Sequence, residues 1–432
     1  MSYLLSIEFA SLLLIACSGL YIAWIACHQL SWLGKSNVDN HHVALSAPIT
    51  SQFSWKKNLT LLLQILIVVL LSRFVIYLVA YFSFSVINEN AGGFSDLFKH
   101  IWWRWDSFHY INIANNGYVA EGQDRYLLVF YPLYPMLIAI MKGFIADTFY
   151  AGVAVSLINL TLSCFFLFKL VAHEFNDEST AWKTVKYLLL FPFSFFTAIV
   201  YTESTFLLMS IACFYYMRQG LWWQAGCFGL LAALTRNHGV LLLAPMAFEM
   251  IRQHQAQWPE GWGAKIKFIT PKLLALALIP SGIILYLVLN KWVTGDWFRF
   301  LDYQKENWHN GFGYFAENVS AIFDRTQDQN YKMAAGTWWP TFVGFFLSIA
   351  LIVTSIRKVP SAYVIYSFCY LIISYSPTWL LSGPRYLMGL FPLFIFMALW
   401  AKKHPSLENT LDIALGLFLT LFVVLFFHSA VY

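Results

Sequence analysis

LTLLLQILIVVLLSRFVIYLVAYFSFSV, residues 59–86, carries one charged side chain, Arg73. A helix rising 1.5 Å per residue needs about 20 apolar residues to cross a bilayer's hydrocarbon core, so this run is long enough to span it. Further runs near that length occur at 4–27, 150–171, 273–293, 338–356, 360–376, 386–401 and 409–431, with tighter pairs at 184–217 and 221–251. They predict an all-α polytopic membrane protein of about 12 transmembrane helices, one multi-pass domain over 1–432. A composition of 59% hydrophobic, 19% aromatic and 11% charged residues excludes an ordinary soluble chain.

The first run is a poor signal peptide, because Met1 to Leu5 holds no Lys or Arg and the apolar stretch is too long. It is expected to remain as a helix. All six cysteines fall in apolar runs, which suggests neither a disulfide framework nor a CxxC metal site. The net charge of +5 has no concentrated basic arm behind it, so nucleic acid is not an expected partner.

Lys and Arg favour one set of alternate loops, including Lys56, Lys57, Lys183, Lys186, Lys402 and Lys403, which the positive-inside rule places in the cytoplasm. The opposite face then receives a first outer loop, 87–148, and a second, 294–337, both expected to contain interfacial helices. This topology needs VFYPLYPMLIAIMKGFIA, 129–146, to stop short of spanning. Its two early prolines suit an interfacial or re-entrant helix.

In the first outer loop, KHIWWRWDSFHYINIANNGY (99–118) reads as a surface helix with Trp102, Trp105, Asp106, His109 and Ile113 on one face, stopped by Asn115-Asn116-Gly117. Tryptophan favours the headgroup region. Asp106 and His109 would then stand together at the lipid boundary. Asp106 reads either as a general base or as the N-cap of the helix that follows, with His109 a solvated neighbour.

WDSFHYINIANNGY followed by VFYPLYPML resembles the WD-x-x-HF-x-x-IA-x-x-GY … FFP-x-YP pattern of the PIG-V family, the GPI mannosyltransferase 2 proteins and their bacterial relatives, within the GT-C glycosyltransferases. The likeness extends to YTESTFLL (201–208), ALTRNHGVLL (233–242) and SGPRYLMGLFPLF (382–394), and so covers the chain from about 60 to 400. Tyr110 stands where the pattern often has Phe, and the first run is an addition before the usual core. The resemblance implies a GT-C type inverting enzyme that takes mannose from a polyprenyl-phosphate-mannose donor and passes it to an acceptor hydroxyl, lipid-linked or on a glycan, at the outer or luminal face. It implies that Asp106 is the catalytic acidic residue of the first outer loop. The membrane would be the bacterial cytoplasmic membrane, or the endoplasmic reticulum membrane in a eukaryote.

A lipid-linked donor needs no nucleotide fold, and the chain holds no GxGxxG, Walker A or D-x-D pattern, so no cofactor is expected. His309 lacks a second ligand at HExxH spacing, so no metal site is indicated either. A leaving phosphate would need donors. Arg236 and Arg385 are the candidates, the alternative being that they snorkel to the interface. Arg104, His109, Tyr131, Asn237 and Tyr386 complete the expected substrate-binding set. His238 could add a hydrogen bond or simply pack. Glu203 could position an acceptor or cap the next helix. Arg73, in mid-span, suits either a structural pairing or a lipid cavity. Aromatic residues of the second outer loop could cover the site as a lid or stack on sugar. The rivals are a lipid or sugar transporter, against which the lack of matching halves counts, and a non-catalytic subunit of a glycosyltransferase complex.

Overall fold

The computed structural model describes residues 55–88, 93–254, 259–327 and 330–431; the expected first span lies outside them. Within these residues the fold is helical, and its one β-type contact is an isolated bridge between Phe312 and Pro377. The chain is an all-α polytopic membrane protein. Among the described residues, five helices are individually long and apolar enough to cross a membrane, or up to seven if two bent pairs each count as one span. The expected twelve also counts the first run, which lies outside the described residues, and takes each of the paired runs at 184–217 and 221–251 as two spans; those pairs are indeed separate helices, but of only 12 to 16 residues each.

Helix α1 (Trp55–Asn88) shows what the apolar run encodes. Ile65, Val69, Arg73, Ile76 and Ala80, spaced by three or four, are buried, whereas Leu63, Ile67, Leu71, Phe74 and Val75 are exposed. An all-round apolar helix with one face uncovered is tolerable in lipid and costly in water. Arg73 is the exception on the buried face, and its partners explain it. Its guanidinium donates to the carbonyl oxygen of Leu189 (2.6 Å), in the last turn of another helix, and to that of Ser194 (2.9 Å), in the 3-10 turn after it. Of the two readings left open for Arg73, the structural pairing is the one observed.

The segment expected as the first outer loop contains α2 (Phe94–Trp102), α3 (Asp106–Asn116), a 3-10 helix (Gln123–Val129) and α4 (Leu133–Met141). The last two meet at a 110° bend, and α4 is only 9 residues long, too short to span. Next come α5 (Thr148–Phe175), α6 (Glu178–Leu190), α7 (Glu203–Arg218) and α8 (Trp222–Thr235). Then follow α9 (Leu243–His254) and α10 (Trp262–Thr294). The segment expected as the second outer loop holds α11 (Arg299–Trp308) and α12 (Phe315–Thr326). The chain continues through α13 (Trp339–Ser355), α14 (Ser361–Ser374), α15 (Pro392–Lys403) and α16 (Pro405–Phe427).

Helices α8 and α10 meet along small residues. A Cβ at Gly226 would overlap the carbonyl oxygen of Ala275, one at Gly229 would press on Ile279, and one at Gly282 would meet the carbonyl of Leu230. Membrane helices gain little from hydrophobic exclusion and pack instead by close backbone approach, which glycine permits.

Arg73 apart, the buried ion pairs gather toward the two ends of α7. Helix α7 begins at Glu203 and ends at Arg218, about 22 Å away at helical rise. At the Arg218 end, the guanidinium pairs with Glu174 (2.6 Å) and Glu249 (2.5 Å), Lys186 pairs with Asp412 (2.7 Å), and Lys402 pairs with Asp177 (2.6 Å).

Candidate active site

At the other end, four interruptions in the helices converge. Helix α2 stops at Trp102, and α3 starts only after Trp105, whose φ of 52° is in the left-handed region. Helix α7 starts at Glu203 after the extended residue Ile199. Helix α8 gives way at Arg236, itself extended at φ −156° and ψ 150°. Gly383–Tyr386 forms a single turn before an 82° bend into α15. Each interruption contributes one charged side chain.

These side chains form a chain of alternating sign. Arg385 Nη1 lies 2.8 Å from Asp106 Oδ2, and Arg385 Nε lies 3.0 Å from Glu203 Oε1. The same Glu203 oxygen pairs with Arg236 Nη2, while Arg236 Nε donates to Thr202 Oγ1 at 2.8 Å. Glu203 and Arg385 are buried; Asp106, at 23% side-chain exposure, is the accessible end. Both carboxylates occupy the first residue of a helix, where the unpaired N–H groups favour negative charge. Arg385 also lies 5.1 Å from the Tyr201 ring and 5.4 Å from that of Tyr386, and Arg236 lies 5.3 Å from the Tyr386 ring. Neither arginine snorkels.

The geometry corrects the reading of the WD stretch. Trp102, Trp105, Asp106 and His109 do not share one helical face, because the chain turns between Trp102 and Asp106. Trp102 is fully buried against Phe426 instead of lying among headgroups. Trp105 occupies the cap position of α3 and Asp106 the first helical position, with no capping hydrogen bond from a side chain. The N-cap alternative for Asp106 is therefore not what is observed. Its carboxylate is turned to Arg385.

The remaining expected residues are spread more widely. Arg104 abuts the site through its carbonyl, which accepts from Tyr201 Oη (3.1 Å), while its own Nε donates to the Ile101 carbonyl. Tyr386 provides the ring shared by both arginines. His109 packs on Phe130 (4.9 Å between ring centres) and Trp308 (6.3 Å), and burial holds its imidazole below the ordinary value against the pull of Asp106 and Asp124. Tyr131 is stacked at 4.0 Å on Tyr286 of α10, not on the ion chain. Asn237 is exposed. Among the described residues no group of three or more His, Cys, Asp or Glu is arranged to hold a metal ion.

The second outer loop ties the two sides of the site together. Tyr303 of α11 is buried with Leu128 and Val129, and Trp308 meets Phe130. Beyond it, Gly313 N donates to the Ser376 carbonyl (2.8 Å) and Thr378 N to the Gly311 carbonyl (2.9 Å). The buried Asn318 amide donates to the Tyr375 and Ser376 carbonyls. The strap therefore runs from the neighbours of His109 to the segment that leads into Arg385. Sequence reasoning named the loop but not these attachments, which are mostly backbone hydrogen bonds and leave no residue signature.

The sequence matches no family model. It matches no curated protein either. Among solved structures it is similar to ArnT from Cupriavidus metallidurans, crystallised bound to undecaprenyl phosphate, with a TM-score of 0.47 and 12% sequence identity; the match covers 84% of this chain and 76% of that chain.

Proposed function

We propose that this chain is a polyprenyl-phosphate-dependent glycosyltransferase of GT-C type that moves a mannosyl group, with inversion, to an acceptor hydroxyl at the outer membrane face. The observation that carries the reading is the buried chain Asp106–Arg385–Glu203–Arg236, assembled from the four separate stretches that resemble the PIG-V pattern. Ionisable groups buried together at the end of a membrane bundle cost free energy to keep and mark a working site by default.

In this mechanism the acceptor oxygen attacks the anomeric carbon as the bond from that carbon to the phosphate oxygen breaks. The acceptor's proton passes to Asp106, whose Oδ2 is held by Arg385 and whose side chain is the accessible end of the row. Inverting displacement needs the base and the leaving group on opposite faces of the sugar. Arg385 adjoins the base and is engaged by two carboxylates, so its role is to position Asp106. Arg236 lies one carboxylate further along, and its buried Nη1 has no hydrogen-bond partner among the described residues. It is assigned to the phosphate, whose charge it offsets as the bond breaks. The donor's polyprenyl chain places the enzyme's substrate in the membrane, bacterial cytoplasmic or endoplasmic reticulum.

The test is sugar transfer by the purified protein in detergent, with radiolabelled undecaprenyl-phosphate mannose or dolichyl-phosphate mannose as donor and a membrane lipid extract as acceptor. Asp106→Asn is expected to fold and to lose roughly a hundredfold or more in rate, because an amide does not take the acceptor's proton. Transfer at near wild-type rate would remove Asp106 as base.

A further inference from the structure

Besides Arg236 Nη1 and Arg385 Nε, three buried side-chain atoms at the ion chain have no hydrogen-bond partner among the described residues: Glu203 Oε2 and both ring nitrogens of His238. Glu203 is 1% exposed and His238 7%. Buried polar atoms are nearly always satisfied, so a cluster of unsatisfied ones needs an account. The two residues are neighbours through the site. Glu203 pairs with Arg236, two positions before His238, and the His238 ring lies 6.1 Å from the Tyr386 ring that both arginines contact.

The His238 ring is held in place. It lies 4.9 Å from the Tyr370 ring, and Tyr370 Oη in turn donates to the Tyr386 carbonyl at 2.9 Å. Gly239, the next residue, folds so tightly onto the end of α8 that a Cβ there would overlap the backbone of Ala232 and Ala233. This close approach directs the turn at 236–239 and the imidazole on it. The orphan atoms therefore sit on rigid supports and not on a mobile loop.

The chemistry of the set selects the ligand. A carboxylate oxygen accepts hydrogen bonds, and a neutral imidazole accepts at one nitrogen and donates from the other. Sugar hydroxyls both donate and accept, and a hexose presents several on one ring. A phosphate offers no proton to Glu203 and is repelled by its charge. We propose that Glu203 and His238 form the subsite for the hexosyl group of the donor, recognising its hydroxyls, with Arg236 taking the phosphate beside it. The proposal rests on the glycosyltransferase reading and names the groups that read the sugar.

The experiment compares equilibrium binding of two kinds of probe to the purified protein in nanodiscs: bare undecaprenyl phosphate, and undecaprenyl phosphate carrying mannose, glucose or galactose. Wild type is expected to bind at least one sugar-bearing lipid about tenfold tighter than the bare lipid, the worth of one or two hydrogen bonds. His238→Phe, which keeps a ring on Tyr370, is expected to remove most of that difference while leaving bare-lipid affinity unchanged. His238→Gln, which restores a donor and an acceptor, should recover part of it, and it decides the matter if the Phe variant does not fold. Equal binding of bare and sugar-bearing lipid by wild type would overturn the subsite, as would equal weakening of both by His238→Phe and His238→Gln. The orphan atoms would then hold ordered water only. Failure of wild type to bind any of these lipids would instead bring down the glycosyltransferase reading, and the subsite with it.

Discussion

Arg236 and Arg385 are the same residue type in the same cluster, yet their surroundings divide the work between them. Arg385 faces carboxylates on two sides, its buried Nε 3.0 Å from Glu203 Oε1 though not hydrogen-bonded to it, whereas Arg236 meets one carboxylate and its buried Nη1 has no hydrogen-bond partner among the described residues. Arg236→Gln should therefore weaken binding of bare undecaprenyl phosphate by roughly ten- to a hundredfold, the worth of a charge-assisted contact at about 1.5–3 kcal/mol. Unaltered affinity with a lowered melting temperature would make Arg236 purely structural. His109 supplies a pH effect. Burial holds its pKa below the model-peptide 6.5, so below that pH the unfolded chain takes a proton that the native imidazole resists. Its contribution to stability is thus full above about pH 6.5 and is lost as pH falls toward the depressed native value. His109→Phe keeps a ring on Phe130 and Trp308, and its melting temperature in detergent should fall less between pH 7 and pH 5 than that of the wild type.

At the scale of elements, the bundle depends on how closely α8 and α10 approach. Gly226→Ala forces a methyl group into the Ala275 carbonyl, and backbone cannot swing aside as a flexible side chain would. A cost of about 1–3 kcal/mol is expected, read as a lower melting temperature or less monodisperse protein. Gly263→Ala is the control: it lies in the first turn of α10 with nothing within 4 Å of its Cβ, so it should be neutral or stabilising by up to about 1 kcal/mol. Equal losses from both changes would mean that α8–α10 contact is not the cause. The same reasoning explains Arg73. A charge in mid-span is retained because it ties a carbonyl in the last turn of α6 to one in the 3-10 turn that follows, and the sequence around it, LLSRFVIYL, holds no trace of those partners.

At the scale of the whole molecule, the Arg218 end holds much of the basic charge that suggested a cytoplasmic face, but several of those cations are neutralised by carboxylates there. The positive-inside rule counts Lys and Arg near span ends and gives little weight to acidic residues, so this pairing leaves the assignment standing. In sealed cells expressing a cysteine-free variant, a cysteine at Ala264 should be shielded from an impermeant thiol reagent, and cysteines at Gly122 and Asn310 should react. Labelling at 264 alone would invert the orientation and place the Asp106 end in the cytoplasm.

The membrane class and the helical fold were legible in the chain itself, because the length and hydropathy of a spanning run are local properties and lipid imposes helix on them. The short α4 was legible for the same reason, from two prolines and too few apolar residues. Asp106, Glu203, Arg236 and Arg385 stood out singly, as charges where charge is costly, and the tertiary structure brought them into one row. Which acid meets which base was decided only there: Asp106 and Arg385 lie far apart in sequence, and no spacing rule links them. The break at Trp105 was equally hidden, since its left-handed turn interrupts a stretch whose periodicity runs on as one helix. The use of His238 and Asn318 also belongs to the tertiary structure. In each case the sequence specified the residue's chemistry, while packing against distant elements selected its partner.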